Sequence, residues 1–136
     1  MKKYLLLADI LLFVLSLFFP VFLFATHSPV MGHIVLVWGW WGIVLLHFGW
    51  VANMLWIAGI VLLLKDKVQL ARLMCIGATL LALESFAVKE WWFNEGNSTE
   101  VTGFGVGFYL WMGAMVSLLV IAYLTKKPTP SQSVES

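Results

Sequence analysis

Charged residues are scarce in this sequence: lysine and arginine number 8 and aspartate and glutamate 7 among 136 residues, or 11% together. A soluble domain carries about 25% charged residues. The formal net charge of +1, spread over scattered basic residues, excludes electrostatic recruitment of nucleic acid. The one cysteine, Cys75, excludes an intrachain disulfide, and its apolar neighbours in the sequence predict a packing role.

Established catalytic patterns are also missing. No Ser/His/Asp, Cys/His or paired-carboxylate arrangement has a recognisable spacing. The three histidines are spaced too widely to predict a metal or haem site, so we expect no cofactor. We expect a non-enzymatic protein, and an enzyme whose active site assembles from separate helices is the alternative.

Hydrophobic residues dominate instead, at 62% of the chain with a mean hydropathy of +0.95. This composition excludes a water-soluble globular domain. It predicts an all-α integral membrane protein, a four-transmembrane-helix bundle over residues 1–127, followed by a disordered cytoplasmic tail over residues 128–136. The first helix is expected to be uncleaved and bent at Pro20. The predicted spans are about 4–24, 44–64, 68–88 and 103–124.

The apolar region that contains the second span is too long for one ordinary span. Residues 34–64 number 31 and would reach about 46 Å as one helix, against a hydrocarbon core of about 30 Å. Tryptophans and glycines fill positions 38–42, and tryptophan prefers the membrane boundary. We therefore predict an interfacial or re-entrant segment over residues 30–43 on the outer face. One long tilted helix is the alternative.

The basic residues predict the orientation of the chain. Seven of the eight lie at or near one side of the predicted spans, and only Lys89 lies on the other. By the positive-inside rule both termini are cytoplasmic, which places a multi-pass protein in the inner (plasma) membrane with the loop around residues 89–102 outside. The triplet that begins at Asn97 matches a glycosylation sequon, which matters only in a secretory-pathway host.

Polar residues at membrane depth are costly, so each one is a hypothesis about packing or function. Asp9 and Arg72 lie at similar depths near the inner edge and predict a structural ion pair. His47 and Glu84 lie at matching depths, about 25 and 24 Å above the inner ends of their helices. We favour the interpretation in which Glu84 reaches interfacial water and His47 caps the apolar region. The alternative is that antiparallel packing brings the imidazole to the carboxylate and forms a functional site. Asn53, near the midplane, is expected to hydrogen-bond across helices.

These polar residues and several tryptophans are expected to converge in the outer half of the bundle, where aromatic walls suit a lipid, a peptide or a partner helix. Small residues at helical spacing predict close helix contacts in the same region. The candidate binding surface comprises His47, Asn53, Glu84, Trp38, Trp41, Trp50 and Trp111. The candidate packing residues are Gly49, Gly103, Gly107, Gly113 and Ser117.

Three segments, GWWG at 39–42, WVAN at 50–53 and GFGVGFYLW at 103–111, together resemble a loose set of small bacterial four-span inner-membrane proteins. The resemblance covers residues 33–124. It implies the same topology and brings no assigned activity.

Two functions follow from these patterns. The first is a protein that acts by packing its helices with itself or with another membrane protein, as accessory subunits and immunity proteins do, among membrane lipids. The alternative is a small oligomeric channel or transporter with a polar path through Asn53, Glu84 and His47. A lipid-modifying membrane enzyme is a third and weaker hypothesis.

Overall fold

The computed structural model describes residues 2–25, 27–45, 47–94 and 97–126, and it is mostly helical, at 70% with five helices. Two 3-10 helices directly follow two of the α-helices, and five short strands lie between the helices. In chain order the elements are α1 Lys2–Ser16, β1 Pro20–Leu23, β2 Val30–Met31, α2 Gly32–Trp38, a 3-10 helix Gly39–Leu45, α3 Val51–Leu64, α4 Val68–Glu84, a 3-10 helix Ser85–Ala87, β3 Glu90–Asn94, β4 Asn97–Glu100, β5 Gly103–Phe104 and α5 Val106–Leu124.

The four longer helices form a bundle in which α5 contacts the other three. Helices α3 and α4 pack along each other after a tight turn, where Asp66 adopts a φ of 59° that aspartate tolerates better than most residues. Helix α1 packs along α5. The core combines aromatic side chains such as Trp56 and Phe108 with small and medium ones that allow close approach. The latter include Ala71, Cys75, Ala78, Ala114, Met115 and Leu118.

Large apolar side chains also cover the outside of the bundle. Leu73 and Leu80 of α4 are each 62% exposed, and Val120 of α5 is 51% exposed. Two helices, residues 68–87 and 106–124, are long and apolar enough to cross a membrane by length and composition. The observed bounds of these two helices lie within about three residues of the predicted third and fourth spans.

The predicted first and second helices are too long. Helix α1 ends at Ser16 rather than near residue 24, and Pro20 begins a strand instead of bending a helix. Proline lacks the N–H that a helix interior requires, and its φ suits an extended chain. Helix α3 begins at Val51 rather than near residue 44, because the preceding residues form a separate short helix.

Strands that the all-α prediction did not include lie at the end of the bundle where α1 ends and α5 begins. Strand β1 is the centre of a three-stranded antiparallel sheet in the order β2-β1-β5, and β3 and β4 form a hairpin. Glycines permit these backbones to meet, since a Cβ at Gly107 would overlap the Phe19 carbonyl oxygen and one at Gly32 the Ser16 carbonyl oxygen. The chain is therefore mostly helical rather than all helical.

The segment over residues 30–43 is distinct from the second long helix. It comprises β2, α2 and most of the following 3-10 helix, and α3 begins only at Val51. This break excludes the alternative of one continuous helix over residues 34–64.

The basic residues of the described chain gather mainly at one end of the bundle. The Lys2 ammonium donates to the Leu63 carbonyl oxygen at 2.8 Å and to Asp66 Oδ1 at 2.7 Å, which places the start of α1 beside the α3–α4 turn. Arg72 donates to carbonyl oxygens of Ala122 and Thr125, which places the start of α4 beside the end of α5. The sheet and the hairpin occupy the opposite end.

The predicted ion pair between Asp9 and Arg72 is not formed. Asp9 is 2% exposed and accepts hydrogen bonds from Trp56 Nε1, at 2.7 Å, and from Ser117 Oγ. Arg72 instead caps the C-terminal carbonyls of α5 and stacks its guanidinium over the Tyr123 ring at 4.8 Å. Helix C-terminal carbonyls favour a cation, so Arg72 is satisfied without a carboxylate.

The Asp9–Trp56 contact predicts a measurable loss of stability when the indole donor is removed. Trp56→Phe keeps an aromatic ring against Phe13, which stacks at 4.3 Å, but leaves Asp9 Oδ2 without its donor. We expect the free energy of unfolding in detergent to fall by about 1–3 kcal/mol. Trp40→Phe removes the same atoms from an exposed side chain and should change the free energy of unfolding by less than about 0.5 kcal/mol. Equal effects of the two variants would refute the role of Asp9.

Candidate binding cavity

A cavity of about 910 Å³ opens in the strand-bearing end of the structure. It lies where α1 and α3 stop short: α1 has 15 residues and α3 has 14, or about 22 and 21 Å, whereas α5 has 19 residues and about 29 Å. Its floor includes Ser16 at the end of α1 and Asn53 near the start of α3. Its volume falls within the range of small-molecule sites, about 300–1,000 Å³.

One wall of the cavity is the segment over residues 32–45, formed by α2 and the 3-10 helix that follows, which we call the arm. Gly32 is its only buried residue among those whose side chains are described. Trp38 and Trp41 line the cavity and remain 55% and 43% exposed. An apolar segment with almost no buried side chain has room beneath it for an apolar occupant.

The arm is held by hydrogen bonds at its start and within α2. At its start the backbone N–H groups of Gly32 and His33 donate to the carbonyl oxygens of Phe19 and Leu17 at 3.0 and 2.9 Å. Further along, Trp50 Nε1 donates to the Leu36 carbonyl oxygen at 2.8 Å. The Trp50 ring also occupies the space that a Cβ at Gly39 would need. The position of the arm thus depends on backbone contacts and on one tryptophan.

The structure brings the predicted binding-surface residues together around this cavity. Six of the seven line it, namely His47, Asn53, Trp38, Trp41, Trp50 and Trp111. The seventh, Glu84, lies behind His47, and its Oε1 is 3.0 Å from His47 Nδ1. Both side chains are about one-third exposed. Glu84 Oε2 is buried and has no hydrogen-bond partner among the described residues.

Asn53 is engaged in a contact between helices. Its Oδ1 accepts a hydrogen bond from Trp111 Nε1 at 2.7 Å, which joins α3 to α5. The side chain is 5% exposed, yet the residue lines the cavity. An amide held by one fixed donor keeps its remaining hydrogen-bonding capacity for a ligand or a water molecule.

The predicted packing residues have different roles. A Cβ at Gly49 would overlap Ser85 Oγ, so this glycine lets the start of α3 approach the end of α4. Gly107 approaches the backbone that follows α1, and Ser117 donates to Asp9. A Cβ at Gly113 would make only an ordinary contact, 3.5 Å from Leu12. One at Gly103 would lie 3.8 Å from Leu23. These two glycines permit no unusually close approach.

The sequence does not predict several of the residues that line the cavity. Trp91 and Glu90 lie in the region predicted to be a solvated loop, but β3 brings them to the cavity, and the Trp91 and Phe22 rings lie 5.5 Å apart. Phe22 itself belongs to β1, which was predicted to be helical. The run of aromatic residues at 91–93 was the available signal, because a purely solvated loop has little use for three large rings.

Comparisons with known proteins supply no further assignment. No family model, no curated protein and no solved structure matches this chain. Among the residues that the structure describes, no group of three or more histidine, cysteine, aspartate or glutamate side chains is arranged to hold a metal ion.

The contact of Gly49 with Ser85 predicts a specific effect of adding one methyl group. Gly49→Ala places a Cβ on Ser85 Oγ and should separate α3 from α4, which lowers the free energy of unfolding by about 1–3 kcal/mol. Ser85→Ala in the same chain removes the hydroxyl oxygen and should restore most of that loss. Gly113→Ala is the matched control and should be neutral or slightly stabilising. Denaturation in detergent measures all three, and the absence of rescue by Ser85→Ala would contradict the proposed contact.

Proposed function

We propose that the chain is a four-span integral membrane protein whose first, second, third and fourth spans are centred on α1, α3, α4 and α5. The exposed apolar side chains on all four helices support this proposal, since water would not favour them. The gathering of Lys2, Lys65, Lys67 and Arg72 near one end supports cytoplasmic termini in an inner (plasma) membrane. The cavity then faces the outer half of the bilayer.

Reporter fusions test this orientation. Alkaline phosphatase is active only outside the cytoplasm, so a fusion after Thr99 in β4 should be active and fusions after Asp66 or Lys126 inactive. A cytoplasmic reporter fused at the same positions should give the reverse pattern and controls for expression. Activity after Asp66 would refute the four-span orientation.

We further propose that the protein works by binding rather than by catalysis, and that the cavity between the arm and the bundle receives an apolar ligand. The cavity itself carries this proposal: its walls are mainly aliphatic and aromatic, and only a few polar groups converge on it. A partner helix or a second copy of the chain is about 10–12 Å wide with its side chains and needs an open groove. The arm instead forms one wall of the site, and aromatic side chains from several elements line the rest, which favours a small molecule or a lipid chain.

Hydrogen bonding favours binding over the channel hypothesis. Asn53 is bonded to Trp111, Glu84 to His47, and Asp9 to Trp56 and Ser117, so these polar side chains join separate elements of the fold to one another. Within the bundle, Leu63, Cys75, Met115 and Leu118 are almost completely buried and fill its interior. A conducting path needs polar groups that face water along its length.

Filling the cavity should abolish ligand binding. Val35 of α2 lines the cavity, whereas Val37 of the same helix is 59% exposed and does not line it. We expect the purified protein in detergent to bind pyrene, a neutral apolar probe, with energy transfer from the cavity tryptophans. Val35→Trp should weaken this binding at least about tenfold, since the added ring occupies the site. Val37→Trp should leave it unchanged.

The same variants exclude other readings of the result. Thermal unfolding must show that Val35→Trp remains folded. Equal pyrene binding by both variants would mean that the probe enters the detergent or the outer surface of the bundle, and it would refute the cavity as a binding site. Ion flux in proteoliposomes that depends on Asn53 would support the channel instead.

A further inference from the structure

The chemistry of the cavity wall indicates which apolar ligands fit. Among the described residues, five tryptophans line it. They come from four different parts of the fold: Trp38 and Trp41 from the arm, Trp50 before α3, Trp91 from β3 and Trp111 from α5. The faces of indole rings carry negative electrostatic potential and attract cations, most strongly away from water.

The ionisable groups at the cavity also favour a cation over an anion. Among the described residues that line it, none is lysine or arginine, and the two ionisable ones are His47 and Glu90. Glu84 stands behind His47 at 3.0 Å. Two of these three ionisable groups are carboxylates, and only the imidazole of His47 can carry a positive charge. The wall therefore carries no excess of positive charge.

An anionic amphiphile is disfavoured by this arrangement. Phosphate and carboxylate groups are recognised by arginine, lysine or converging backbone N–H groups. Lys89, the residue before Glu90, does not line the cavity. An anion placed among the indole faces would meet the negative potential of the rings and the charges of two carboxylates.

We propose that the ligand is a lipophilic cation: a molecule with one positively charged ammonium or phosphonium group on an apolar body. The rings of Trp38, Trp41 and Trp111 supply cation–π contacts and apolar surface, and Glu84 and Glu90 supply the countercharge. This inference rests on the proposed binding function and adds the charge of the ligand. Binding involves no covalent step.

Two probes of nearly the same shape and opposite charge test the proposal. Tetraphenylphosphonium and tetraphenylborate are titrated into the purified full-length protein in detergent, and binding is measured by calorimetry. Binding that persists in Val35→Trp is subtracted as background. We expect the native protein to bind the phosphonium at least about tenfold more tightly than the borate, a difference of about 1.4 kcal/mol.

Carboxylate variants locate the source of the preference. Glu90→Gln keeps the shape of the side chain and should reduce the preference for the phosphonium several-fold. Glu100, the partner of Glu90 across the β3–β4 hairpin, does not line the cavity, so Glu100→Gln is the matched control and should change the preference by less than about twofold. An equal effect of both variants would overturn the assignment of Glu90.

The outcomes separate this inference from the function on which it rests. If tetraphenylborate binds as tightly as the phosphonium while pyrene binding is intact, the proposed cation preference is wrong. The apolar binding site then remains supported. Binding of all three probes that is unchanged by Val35→Trp would overturn both. The comparison of the two ions on the native protein requires no variant other than the background control, so a folding defect in a carboxylate variant leaves the test decisive.

Discussion

The carboxylate of Asp9 joins three helices inside a mainly apolar bundle. Helix α1 supplies the acceptor, α3 supplies the Trp56 indole donor, and α5 supplies the Ser117 hydroxyl donor. Apolar contacts alone define helix register poorly, because they are not directional. A buried carboxylate without these donors would be strongly unfavourable, so the bonds fix how α1 sits against its neighbours.

The position of α1 determines where the strands, the arm and the cavity lie at the end of the bundle. Because α1 ends at Ser16, its last turn and the carbonyl oxygens of Leu17 and Phe19 are available to the start of the arm. Strand β1 then continues the chain and is paired on both edges, which satisfies the backbone that the helix no longer satisfies. The short helices α1 and α3 leave a space beside the longer α4 and α5. The arm covers this space without filling it, and the cavity is the result.

The sequence predicts the helical character of the chain and the break within residues 34–64. It predicts only some of the contacts between polar side chains. Depth arithmetic places His47 level with Glu84, but it does not predict their contact, since His47 precedes α3 instead of lying on it. The same arithmetic fails for Asp9 and Arg72. Equal depth does not specify which neighbours a side chain faces, and Trp56, Ser117 and the end of α5 offer better partners.

Composition and periodicity determined that the chain is apolar and mostly helical and that its basic residues fall near one end, because these properties depend on single residues and their spacing. Tertiary structure decided where α1 and α3 stop, that Pro20 begins a strand, and that Trp91 and Glu90 reach the cavity. Those outcomes depend on backbone groups that find partners far away in the chain, such as the pairing of Phe22 with Phe104. A local pattern carries no information about such partners, since a backbone amide looks the same in every residue until the fold brings its acceptor within reach.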